Sequence, residues 1–339
     1  MEVTIKQAKE LVMDVLKAGL TPMLHGSPGT SKSALGRQIA KENNLMFIDV
    51  RLSSMDPVDL NGLLTLDKES NKASYTPMDL FPLEKDTVPA GYAGWLIMFD
   101  EINSASLSIQ AACYRIILDR QVGTHNLHKN VAMIAAGNKS TDKAIVNRMS
   151  TAMQSRLVHL DIVPNPKGWL EWAEEVNIDY RIRAFIGFSP DSLHVFNPNH
   201  NDFTFANSRT WEFVHKIIHT WATIPLSKLP ILAGTIGEGV ARSFLTYCEI
   251  FTKLPTIDQI KANPETTNIP VEASIKYAIS ALLVHHVTEA NINSLMKYIN
   301  RLPIEFQVIT LKSSLRKNPK LIQSEEIKKW ITVNAQELL

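Results

Sequence analysis

The apolar run Leu20-Thr21-Pro22-Met23-Leu24-His25 leads into Gly26-Ser27-Pro28-Gly29-Thr30-Ser31-Lys32-Ser33, and Ser33 to Asn43 then reads as a helix. Strand, glycine-rich turn and helix in that order match the phosphate-loop pattern G-x-x-x-x-G-K-[ST], except that Ser31 stands where the last glycine usually does. Such a turn points backbone N–H groups at phosphate oxygens, while the positive helix end and the Lys32 ammonium offset the remaining negative charge. Ser33 would supply a hydroxyl to Mg²⁺. Gly26, Ser27, Pro28, Gly29, Thr30, Ser31, Lys32, Ser33 and Ala34 are therefore the nucleotide-binding candidates. An ordinary strand-to-helix loop is the plainer alternative.

Outward from this turn, Met46–Leu52, Trp95–Phe99, Val131–Ala136 and Leu157–Ile162 are further short apolar runs, mostly separated by helical patterns. Uninterrupted apolar strands alternating with helices describe a parallel sheet covered on both faces, since a one-faced sheet shows polar alternation instead. Before the turn, Thr4 and Gln7 form a capping box for a helix that Gly19 closes. Around the polar run Lys68-Glu69-Ser70-Asn71-Lys72, residues near 63–77 suit a small hairpin, with a surface loop as the alternative. After Val163-Pro164-Asn165-Pro166 the strand-like runs fade and amphipathic stretches dominate. Residues 1–164 are read as an α/β domain and residues 165–339 as a helical region.

The run Trp95-Leu96-Ile97-Met98-Phe99-Asp100-Glu101 ends in two adjacent carboxylates. A parallel strand ends at the face where the phosphate loop lies, so both acids can reach the same ligand. Asp100 would hold Mg²⁺ through its water shell, and Glu101 would orient and deprotonate an attacking water. Acids also terminate strands for no such reason. Asn138, after Val131–Gly137, can hold that water by donating and accepting at once, although a turn asparagine looks identical. Arg156 and Arg148 are either solvated helix-end cations or groups that reach a neighbouring subunit's γ-phosphate. Arg209, opening a helical stretch, either closes over the phosphates or pairs with Glu212 on its own helix.

Thirty-five basic and thirty-four acidic side chains nearly cancel, so global charge gives no reason to expect nucleic acid or an anionic membrane as the main partner. Lys312, Arg316, Lys317 and Lys320 cluster, but Glu325 and Glu326 follow at once, which suits a solvated face. Two cysteines, Cys113 and Cys248, suit burial in a reducing compartment rather than a disulfide framework. His285-His286 face different ways on a helix, and His125 and His128 lack a neighbouring cysteine, so neither pair makes a good metal site. No basic stretch with a following apolar run opens the sequence, and no run of about eighteen apolar residues occurs in it, so a soluble cytoplasmic protein is expected.

In order, Gly26 to Ser33, Asp100-Glu101-Ile102-Asn103, Ala136-Gly137-Asn138, Ser155-Arg156-Leu157 and Ser208-Arg209-Thr210-Trp211-Glu212 resemble a MoxR-type AAA+ ATPase. Arg51-Leu52-Ser53-Ser54-Met55-Asp56-Pro57-Val58-Asp59-Leu60-Asn61-Gly62-Leu63 is similar to the branch found beside proteins with a von Willebrand factor A domain. The resemblance runs from about residue 5 to 215 and weakens beyond. It implies a P-loop core of five parallel strands with the phosphate-loop strand central, followed by a helical lid. It further implies Walker A roles for Lys32 and Ser33, Walker B roles for Asp100 and Glu101, and sensor roles for Asn138 and Arg209. Arg156, with Arg148 as second choice, resembles an arginine finger acting in trans, which implies a homo-oligomeric ring, usually of six. The insert near 63–77 is similar in place to a family element that engages substrate. ATP and Mg²⁺ are the implied cofactors, and the implied activity is ATP hydrolysis that remodels or activates a protein client. The alternatives are an ATP-driven nucleic-acid motor or loader, and a nucleotide-gated binding module that barely hydrolyses. Ser31, the departure from pattern, puts catalytic rate in question more than binding.

Overall fold

The computed structural model describes residues 1–67, 71–139, 142, 147, 149–197, 199 and 202–334. They divide into two units, Met1–Pro164 with Asn197 and Asn199, and Asn165–Phe196 with the described residues from Asp202 onward. In the first unit the strands are β1 (Glu2–Val3), β2 (Pro22–His25), β3 (Leu45–Arg51), β4 (Leu63–Asp67), β5 (Lys72–Thr76), β6 (Gly94–Asp100), β7 (Gln121–Val122), β8 (His125–Asn126), β9 (Val131–Gly137) and β10 (Val158–Ile162). Its helices are α1 (Ile5–Lys17), α2 (Lys32–Glu42), α3 (Pro57–Asn61), α4 (Leu107–Asp119) and α5 (Thr151–Gln154).

Six strands form one parallel sheet in the order β1-β10-β2-β9-β6-β3. The phosphate-loop strand β2 is interior, between β10 and β9. The five apolar runs of the sequence are all present, and Glu2–Val3 adds a sixth strand against Asp161 and Ile162. Both faces are covered, which is why β6 shows no polar alternation. Trp95, Ile97 and Phe99 pack with Met23, Met133, Ile109 and Ile116 on one face, while Leu96 and Met98 pack with Leu24, Val12, Leu35 and Ile39 on the other. Thr4 caps α1, its side chain accepting from the Gln7 N–H while Gln7 answers the Thr4 N–H. β4 and β5 make the antiparallel ribbon expected near 63–77, whose tip, residues 68–70, lies outside the described residues. The tight pair β7–β8 was not foreseen.

The second unit is helical, beginning with α6 (Pro166–Glu175), α7 (Tyr180–Phe188) and α8 (Ser208–Ile218), the longest later helix being Glu238–Lys253. Trp169, Phe185, Trp211 and Phe244 anchor one core, and Leu283, Leu295, Tyr298 and Trp330 another. Arg181 is buried there because Asp179 takes its charge and the Ile218 and Trp221 carbonyls accept its remaining N–H groups. Cys113 and Cys248 are both buried, and burial pushes each thiol well above its ordinary pKa. Among the described residues, no helix is long and apolar enough to cross a membrane.

Candidate nucleotide site

At the carboxyl end of β2 the chain turns through Gly26–Ser31 into α2. Gly26 is required by crowding: an added Cβ would stand 2.7 Å from the Thr30 Oγ1 and 3.1 Å from the Ile162 carbonyl oxygen. Gly29 adopts φ +81°, open to glycine at no steric cost. The buried Lys32 ammonium donates to the Gly26 carbonyl at 2.6 Å and the Ser27 carbonyl at 3.2 Å, and lies 3.5 Å from the Asn138 Oδ1. The preceding His25 is bonded to His159 at 2.8 Å. Its pKa lies below the ordinary value, chiefly because burial strips its hydration and then because of His159, with Lys32 and Lys139 adding to the effect and Asp161 opposing it. The positive charge at the turn thus comes from Lys32 rather than from the imidazole.

The second wall is the end of β6. Buried Asp100 accepts from the Ser33 hydroxyl at 2.5 Å and, with its other oxygen, from the Glu101 N–H at 2.9 Å. A hydroxyl and a carboxylate in contact are hard oxygen donors of the kind that suit Mg²⁺, so the residues present fit that ion. Glu101 sits at φ +58°, a left-handed conformation uncommon for a residue with a Cβ, and its carboxylate accepts from the Ser53 hydroxyl. Lys32, Ser33, Asp100 and Asn138 therefore meet in one place, and the Glu101 carboxylate is anchored by Ser53.

Residues 22–157 match the model of the AAA domain, dynein-related subfamily. That stretch of the first unit has the P-loop NTPase fold of the AAA domains. Among solved structures, a candidate ATPase from Cytophaga hutchinsonii is similar at 14% identity, with 100% of this chain and 91% of that chain covered and a TM-score of 0.40. No curated protein matches the chain.

The two described candidate arginines belong to different units. Arg156 is exposed just after α5, its guanidinium 5.6 Å from the Tyr114 ring centroid and donating to the Ala152 carbonyl at 2.8 Å. Arg148 lies outside the described residues. Arg209 belongs to the second unit, exposed in the first turn of α8, where the Asn207 side chain accepts from its N–H at 3.0 Å. The Glu212 carboxyl on the same helix has its pKa raised by burial, against the opposing charges of Lys216 and Arg209. The histidine pairs have structural partners: His125 bonds the Tyr75 carbonyl, His128 packs edge-on to Trp95, and His285 stacks on Tyr180.

Three residues around this candidate site make contacts the sequence did not reveal. Ser53 anchors Glu101, Asn103 grips the Asn138 backbone, and Asp142 accepts from the Ser27 hydroxyl at 3.2 Å. Ser53 and Asn103 stand inside runs already conspicuous in the sequence, which was the available signal.

Ser31 occupies φ +64°, ψ +25°, and its side chain makes no capping bond to α2. Ser31→Gly relieves a left-handed conformation costing about 1 kcal/mol, but glycine loses about 0.5–1 kcal/mol more backbone freedom on folding. The two nearly cancel, so the melting midpoint of Ser31→Gly is expected to move by no more than about 2 °C. A fall of more than about 5 °C in thermal unfolding would show that the loop depends on the serine side chain.

Proposed function

We propose that this chain hydrolyses ATP with Mg²⁺ and uses the cycle to remodel or activate a protein client. It does so as a homo-oligomeric ring, six subunits being the usual number for the MoxR-type enzymes it resembles. The observation that carries this reading is the meeting of Lys32, Ser33, Asp100 and Asn138 at one end of the sheet. Main-chain amides of the Gly26 turn and the Lys32 ammonium hold the triphosphate. Ser33 and Asp100 hold Mg²⁺, which supplies positive charge against the phosphates when bound. Glu101 takes the proton of the attacking water, whose oxygen bonds to the γ-phosphorus as the bond to the bridging oxygen breaks. Asn138 orients that water, and Arg209 takes the second sensor role that the resemblance implies, so that each turnover drives a conformational cycle.

The client is a protein, a von Willebrand factor A domain protein being the kind found beside the resembled branch. On the β4–β5 ribbon Leu63, Leu64 and Leu66 are 57%, 59% and 62% exposed, with Tyr75 nearby at 39%. That much apolar surface on so small a projection favours a protein contact over a charged polymer.

Phosphate release from Mg²⁺-ATP by the purified chain tests the reading, and its absence at every protein concentration sinks it. If Arg156 acts across a subunit boundary, turnover per chain rises with protein concentration as rings assemble. Arg156→Ala should then lose about 10³-fold or more, the usual worth of such a cation. A rate per chain independent of concentration would assign Arg156 no role in trans.

A further inference from the structure

Asn103, two residues past Glu101 in the 3-10 turn Ile102–Ser104, has no part in the chemistry above, yet its side chain is buried and both its ends are used. Its Nδ2 donates to the Asn138 carbonyl at 2.6 Å, and its Oδ1 accepts from the Asn138 N–H at 3.1 Å. A primary amide satisfying both main-chain groups of one residue imitates a neighbouring strand. It does so where the strand itself has ended, for the β6–β9 register stops at Phe99↔Ala135 and the chain then leaves the sheet through the left-handed Glu101.

Gly137 makes the approach possible. A Cβ there would lie 2.3 Å from the Asn103 Oδ1 and 2.7 Å from its Cγ. Asn103 also gives its own carbonyl to the Asn147 N–H at 2.6 Å, and the Asn147 side chain donates to the Ala105 carbonyl at 2.8 Å.

We propose that Asn103 is the positioning residue for Asn138, fixing that residue's backbone so that its side-chain oxygen stays beside the Lys32 ammonium and in register with Glu101. A backbone held from both sides leaves Asn138 only its side-chain torsions to search, so the water it orients is presented at one angle. This inference rests on the ATPase reading and adds to it a residue that touches neither nucleotide nor water.

The test compares wild type, Asn103→Ala and Asn103→Asp, each alone and with Asn138→Ala. Asn103→Asp keeps the size and the acceptor for the Asn138 N–H, but turns an oxygen toward the Asn138 carbonyl, so it perturbs the grip even if Asn103→Ala folds poorly. Turnover at saturating ATP is expected to fall about tenfold or more in both variants, the range for unmaking a buried hydrogen bond, while calorimetric ATP affinity stays within about twofold. In the Asn138→Ala background the same substitutions should change turnover by less than about twofold, because the residue they act through is gone. Wild-type turnover matched by Asn103→Asp overturns this inference alone, as does a loss that multiplies in full on Asn138→Ala. No turnover by the wild type overturns the ATPase reading and this inference with it.

Discussion

Glu101→Gln should bind ATP as the wild type does and turn it over about 10²–10⁴ times more slowly, the usual contribution of a positioned general base. The substitution preserves shape, and glutamine meets the same backbone demand at φ +58° as glutamate. Its amide oxygen still accepts from Ser53, so the side chain keeps its anchor. What is lost is the capacity to take a proton. Asp100, Ser33 and Lys32 keep their mutual contacts, which is why affinity should be unchanged while turnover collapses. Single-turnover phosphate release and calorimetric ATP binding, measured on the same preparation, separate the two. Wild-type turnover in Glu101→Gln would remove Glu101 as the base. If the variant stalls with ATP bound as proposed, proteins that co-purify with it but not with the wild type would identify the proposed client.

The sheet was legible because its strands are buried on both faces, so β6 and β9 print as unbroken apolar runs whatever their neighbours. β1 was not legible: two residues show no periodicity, and Glu2–Val3 is a strand only because Asp161 and Ile162 lie beside it. β7 and β8, equally short, escaped for the same reason. The phosphate loop was legible because its demands are local, a fixed count of residues between glycine, lysine and hydroxyl. That Ser31 departs from pattern was plain, whereas its left-handed backbone was not, since a φ angle is not written in a residue's name. Ser53 and Asn103 stood in conspicuous runs, but their partners could not be read from the sequence, for a different reason. Their partners, Glu101 and Asn138, are 48 and 35 residues away, and only the parallel crossovers bring them together.

Lys32→Met should weaken ATP binding about 10- to 150-fold, the equivalent of the 1.5–3 kcal/mol that a hydrogen bond to a charged group contributes. Methionine keeps most of the stem and its packing, so the change isolates the ammonium. In the structure that ammonium donates to the Gly26 and Ser27 carbonyls, which raises a competing expectation that its loss merely loosens the turn. The two effects separate by size and by assay. Leaving those carbonyls without this donor costs at most a few kcal/mol where water is excluded, and less at a turn whose Ser27 is half-buried and reachable by solvent. A triphosphate, by contrast, presents several negative oxygens to a site where His25 is held neutral and the Asp100 carboxylate lies close by, so Lys32 is the main fixed cation against them. The binding loss should therefore exceed any loss of stability, and it should shrink as ionic strength rises, because screening weakens the wild type more than the variant. Calorimetric ATP titrations at low and high salt, beside thermal unfolding of the unliganded protein, decide between them. Equal affinity in wild type and Lys32→Met, or a melting midpoint that drops while affinity holds, would show that Lys32 ties the loop together and does not bind phosphate.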